Sequence, residues 1–119
     1  MSSEALVEGP QGVVAAWETS GQVRFGRIDP RSRKVVSPIS APGTGPNRKH
    51  PTLAVNGTGE TLLAWTEGTG WSRGGDLVWQ LFDRNGQPTS EKGRVEKGVP
   101  TWGLVTAVAR PDGDFTLLH

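Results

Sequence analysis

The stretch His50–Glu67, HPTLAVNGTGETLLAWTE, decides the fold. Two short apolar runs, Leu53 to Val55 and Leu62 to Trp65, flank a turn rich in Asn, Gly and Thr. That is the pattern of a hairpin. Versions of it recur on both sides: Leu6 to Glu18 reads LVEGPQGVVAAWE, and Val105 to His119 reads VTAVARPDGDFTLLH. Aligned on the turn glycines Gly12, Gly59 and Gly113 to within one residue, Trp17 falls opposite Trp65 and Trp65 opposite His119, at periods of 48 and 54 residues.

A second unit lies between the hairpins. VRFGRIDPRSRKVVSP from Val23 and VWQLFDRNGQPTSEK from Val78 share an alternating strand, with Asp29 and Asp83 in register 54 residues apart. The order is hairpin, second unit, hairpin, second unit, hairpin, so the chain is a repeat. Periods of roughly 40–50 residues, each holding about four strands, belong to propeller blades. The expected fold is all-β, with antiparallel four-stranded propeller-type blades, about two and a half per chain. Blade one covers about residues 4–40, blade two about 50–97 and a half blade about 104–119.

Composition agrees. Seventeen Gly and nine Pro among 119 residues, with five Trp and repeated apolar runs, describe short strands and tight turns rather than disorder. A net charge of +1 supplies no field for nucleic acid or an anionic membrane, and neither is expected as a partner. The charge is uneven: residues 1–50 carry 7 basic and 4 acidic groups, or +3, and residues 51–119 carry 6 basic and 8 acidic, or −2. Opposite halves could dock edge to edge, although solvated faces explain the same numbers. With no cysteine there is no disulfide or thiolate metal site, and the compartment stays open. No apolar run reaches the roughly 20 residues of a membrane span, and the start MSSEALVEG has no leader pattern, so a soluble chain is expected.

Along the chain, Val13 to Trp17 is apolar without alternation and so needs cover on both faces. Val23 and Phe25 alternate with Arg24 and Gly26, and Leu77, Trp79 and Leu81 share one face. Pro38 and Pro42 suit an outer edge. The polar segment Gln87 to Lys97 is expected to hold at most a short outer strand around Gly93 to Glu96. Trp17, Trp65 and Trp79 are assigned to packing between blades.

The residues Leu53-Ala54-Val55, Asn56-Gly57, Leu63-Ala64-Trp65-Thr66-Glu67 and Leu81-Phe82-Asp83-Arg84-Asn85-Gly86 form a pattern that resembles blades of sialidase-like β-propellers. The resemblance spans nearly the whole chain at the level of blade architecture, and fold does not carry function with it. Two departures stand against the activity it implies. The Asp-box S-x-D-x-G-x-T-W is absent, the nearest stretch, Ser72 to Trp79, having the wrong spacing. Such enzymes also use a tyrosine nucleophile with an acidic partner and an arginine cluster, and this chain has no tyrosine.

Other motifs are weak. Asn56-Gly57-Thr58 fits a glycosylation acceptor but is also a natural turn. The Gly-Thr-Gly triplets at 43–45, 57–59 and 68–70 lack the Lys-Ser/Thr and helix of a phosphate loop. His50 and His119 are the sole imidazoles, with no cluster for a metal, and nothing around Ser72 or Ser90 resembles a nucleophile elbow. No catalytic residue, metal or cofactor is assigned. Trp71, Arg73, Arg84 and Trp102 are the binding candidates: both tryptophans sit in Gly-rich crossovers, where aromatic rings suit sugars or protein partners, or plug the ends of the blades.

Ten strands make two four-stranded blades and an orphan hairpin, whereas propellers close with about four to eight blades. The apolar faces need cover from the remaining blades of a longer chain, from closure as a compact sandwich, or from self-association. A homo-oligomer is favoured, two copies giving the twenty strands of five four-stranded blades with the orphan hairpins in a shared blade. The expected function is a non-enzymatic β-propeller scaffold or ligand-binding module, directed at carbohydrate. The alternative is a non-catalytic fragment of a sialidase-like glycoside hydrolase.

Overall fold

A computed structural model describes residues 4–45, 47–70, 72–101 and 103–119. These residues form ten strands and no helix: β1 (Glu4–Gly9), β2 (Gly12–Thr19), β3 (Gln22–Ile28), β4 (Val35–Ser40), β5 (Lys49–Val55), β6 (Thr61–Glu67), β7 (Gly75–Phe82), β8 (Pro88–Val99), β9 (Thr106–Ala109) and β10 (Phe115–Leu118). Strands β1 to β4 pair in chain order as one antiparallel sheet, β5 to β8 as a second, and β9 with β10 as a hairpin. The fold is all-β with antiparallel sheets of four strands. No helix among the described residues is long and apolar enough to cross a membrane.

The turn glycines explain why the hairpins recur. Gly59, Gly86 and Gly113 have φ of 91°, 80° and 93°. Each donates its N–H to the carbonyl three residues back, on Asn56 (3.1 Å), Asp83 (2.9 Å) and Arg110 (3.0 Å). A type I turn followed by a left-handed residue gives this geometry, and glycine takes that last position without a Cβ penalty. Gly12, at φ 112°, ends the β1–β2 turn. The three glycines on which the hairpins align share a positive φ, and Gly59 and Gly113 share the turn hydrogen bond as well.

Alternation along the strands then sets the faces. Ala5, Val7, Val14, Ala16, Val23 and Phe25 form the inner face of the first sheet, which meets Leu53, Leu63, Trp65 and Phe82 of the second. Phe25 and Phe82 meet across this interface with ring centroids 4.6 Å apart. On its opposite face the second sheet presents Ala64, Leu77 and Trp79, and Leu117 of the hairpin packs there. Strand β6 lies between both interfaces and is buried along its whole length. The innermost strands touch in sequence, β1 against β5 and β5 against β9.

Three expectations need correction. Val13 to Trp17 gains cover on one face only: Val14 and Ala16 point into the core, while Val13 stays 38% exposed. Trp17 points to the outer face of the first sheet and is half-buried, unlike Trp65 at 1% exposure, because no described element packs on that side. The outer strand of the second sheet is longer than expected. β8 runs for 12 residues, since backbone pairing to β7 with two register shifts needs no apolar side chains on an edge.

Candidate functional site

The strand ends separate two sets of loops. The crossovers after β4 and β8 and the turns after β2 and β6 lie at one end, and the turns after β1, β3, β5, β7 and β9 at the other. At the crossover end, β6 finishes on Glu67, which shares a sheet face with Trp65 and pairs across the sheet with Asp76. A carboxylate at the end of a wholly buried strand requires a cation, and Arg48 supplies it from the crossover preceding β5.

Arg48 is 2% exposed and Glu67 4%. Arg48 Nε donates to Glu67 Oε2 at 2.9 Å, and Trp65 Nε1 donates to the same oxygen at 2.9 Å. The Arg48 guanidinium lies 5.3 Å from the Trp65 ring centroid. Its remaining donors reach the carbonyls of Ala41 (2.9 Å) and Pro42 and the Gln22 amide oxygen (3.3 Å), all belonging to the first sheet or its exit. On the other side Arg94, from β8, bonds Glu67 Oε1 and Asp76 Oδ2, the latter at 2.7 Å. Asp76 Oδ1 accepts the Lys97 N–H at 2.9 Å.

Charges alternate along Arg48, Glu67, Arg94 and Asp76 and sum to zero. Burial pushes the Glu67 carboxyl up, but the indole N–H and the two guanidiniums outweigh it and hold it below the ordinary glutamate value. Asp76 is likewise held low, first by the Lys97 N–H and then by Arg94. Both acids stay ionised at neutral pH, and the Glu67 oxygens are spent on three donors. The arrangement pins the first sheet to the second and supplies no base poised near neutrality.

Above it opens a cleft of roughly 600 Å³, walled by Glu67, Asp76, Arg73, Lys97, Asn47 and Thr101 among others. Of the sequence-predicted candidates, Arg73 lies here, in the β6–β7 loop. Arg84 lies in the β7–β8 turn, on a separate groove of about 350 Å³ between the two sheets, with Arg27 and Asp83. The eight residues of β7 separate the two arginines, roughly 26 Å at 3.3 Å per residue, so they do not form one site. Trp71 and Trp102 lie outside the described residues.

A third cleft was not expected. Trp79 and Leu81 of β7 face Phe115 and Leu117 of β10 across about 480 Å³, with Glu91 and Arg110 at the rim. It exists because the hairpin is two strands wide and the sheet beneath it four. Trp79 is thus partly a core residue and partly a wall. The Asn56 carboxamide, by contrast, is 3% exposed and bonds Glu60 Oε1 (2.8 Å) and the Gly113 carbonyl (3.0 Å), which makes the Asn-Gly-Thr sequence a turn that clips the hairpin. No group of three or more acidic or imidazole side chains able to hold a metal occurs among the described residues. No protein-family model matches this chain, and neither does any curated protein or solved structure.

Proposed function

We propose that the chain is a non-enzymatic module of β-propeller type, closed by self-association, with a carbohydrate ligand as its target. The observation that carries this reading is the open stack. Two four-stranded sheets and a hairpin lie face on face with inner strands adjacent, and both outermost faces carry exposed apolar side chains. Stacked repeats generally need three or more units and protected ends. A second copy protects both ends at once.

Two features support the ligand. Indole faces suit the apolar faces of sugar rings, and the Trp79 cleft pairs one with a carboxylate and a guanidinium at its rim. The ion cluster below Arg73 is spent on structure, which favours binding over chemistry at the crossover end.

The association half is tested by denaturation over a dilution series. A fold completed by its own copy gains stability with concentration, so the guanidinium midpoint should rise as protein is added. A midpoint independent of concentration contradicts self-association and favours cover by further blades of a longer chain. A glycan array tests the ligand half: binding lost in Arg110→Ala places the sugar at the Trp79 cleft, and loss in Arg73→Ala places it at the crossover cleft. Binding to no glycan overturns it.

A further inference from the structure

We infer that copies of this chain join head to tail, the β9–β10 hairpin of one copy covering the β1–β2 half of the outer face of the next. This rests on the self-associating module proposed above and specifies its interface. The two internal interfaces run in one sense. The inner face of the first sheet (Ala5, Val14, Ala16) is covered by Trp65 and its neighbours, and the far face of the second sheet (Ala64, Leu77) by the hairpin. What remains uncovered is the beginning and the end of that series.

At the beginning, Leu6 is 69% and Val13 38% exposed, next to Ala15 and Trp17 on the same face. At the end, Val108 is 44% and Leu118 57% exposed, with Thr106 and Thr116 beside them. Trp17 holds in its sheet the place that Trp65 holds in the second: each sits on the second strand, two residues past an apolar residue that pairs with the first strand, Ala15 with Leu6 and Leu63 with Leu53. In the second sheet that place is covered by the preceding sheet. In the first, the preceding unit has to come from another copy.

Width agrees with the hairpin as that unit. The most exposed apolar residues of the outer face, Leu6 and Val13, are on β1 and β2, while β3 and β4 place Arg24, Gly26 and Ser40 alongside, with the half-buried Ile28 and Val35 at the far end, so two strands are enough to cover the exposed apolar part. A face-to-face pairing of first sheets reverses the stacking sense. Because the contact is heterologous, it either closes a ring or runs on as a filament. Two copies give six units in one sense, within the four to eight at which propellers close. Each hairpin then keeps its own place in the ring instead of sharing one with its counterpart.

Complementation tests this. Leu6→Lys spoils one surface and Leu118→Asp the other, both at exposed leucines, with near-UV circular dichroism to confirm folding. By sedimentation velocity each variant alone should run as a monomer. Their equimolar mixture should form a dimer, because one contact is intact and the other sets lysine against aspartate. A mixture that stays monomeric, or a Leu118→Asp chain that pairs as well as the parent, overturns the head-to-tail contact while leaving self-association standing. A parent chain that is itself monomeric removes both.

Discussion

Replacing Glu67 by glutamine separates structural necessity from decoration at the crossover end. The carboxylate accepts Arg48 Nε and Trp65 Nε1, each at 2.9 Å, and a bond from Arg94, and only 4% of its side chain is exposed. A carboxamide offers one acceptor oxygen and turns an NH₂ group toward donors, leaving Arg48, 2% exposed, without its counter-charge. Removing one partner of a buried pair costs about 3–5 kcal/mol, a large part of the 5–15 kcal/mol typical of a domain. Arg48→Met should cost less, about 1–3 kcal/mol, since Arg94 remains on Glu67 and the main loss is at the Ala41 and Pro42 carbonyls. The double variant Arg48→Met/Glu67→Gln should then fall short of the sum of the two single changes by about 1–3 kcal/mol. Urea unfolding followed by tryptophan fluorescence, at one protein concentration, reads all of these. A Glu67→Gln chain within about 0.5 kcal/mol of the parent, the range of an ordinary surface change, would refute the reasoning.

Asn56→Asp removes the donor to the Gly113 carbonyl and sets a carboxylate beside Glu60, so hydrogen exchange should quicken across 106–118 and little in the first sheet. Gly9→Ala places a Cβ 2.7 Å from Val55 Cγ1, where β1 crosses β5. It should cost about 1–3 kcal/mol in urea unfolding, and less in a Val55→Ala background. Stability should also fall on acidification. His50 is held below its usual 6.5, first by burial and then by Lys49, and Glu67 and Asp76 are held below 4.5 and 3.8. A group depressed in the folded state gives stability that is complete above its unfolded value and lost as pH falls through the folded one. The urea midpoint should therefore decline below about pH 6.5 and again below about pH 4.5, whereas a flat profile from about pH 7 to 3 would contradict this.

How far the fold could be read in advance depended on which residues carried backbone information. Gly12, Gly59 and Gly113 are informative because each takes positive φ at a hairpin turn, where glycine carries no Cβ penalty, so aligning them aligns the hairpins. Leu62 to Trp65 is apolar without a break, as a strand covered on both sides requires, and β6 is one. Val13 to Trp17 gives the same signal but is covered on one face, because local pattern does not say which units are present beyond it. β8 was hidden since an edge strand owes its pairing to the backbone and its residues can all be polar.

The ion cluster was less legible. Asn47, Arg48 and Lys49 are a polar run after Gly- and Pro-rich sequence, and only the folded chain brings the Arg48 guanidinium to Glu67. A signal did exist: Glu67 lies two residues past Trp65, hence on the same buried face, and a buried carboxylate needs a cation. Arg73 and Arg84 share a residue type and a loop setting but a whole strand separates them, and Trp79 reads wholly as packing in the sequence because its open side depends on the hairpin lacking two further strands.

The central claim is that the open stack is completed by another copy of itself. Light scattering on the chromatographic peak measures this directly. The account predicts a mass of about twice 12.7 kDa, or a larger multiple if the series runs on as a filament. A single monodisperse species of 12.7 kDa, unchanged as concentration is raised, would contradict it.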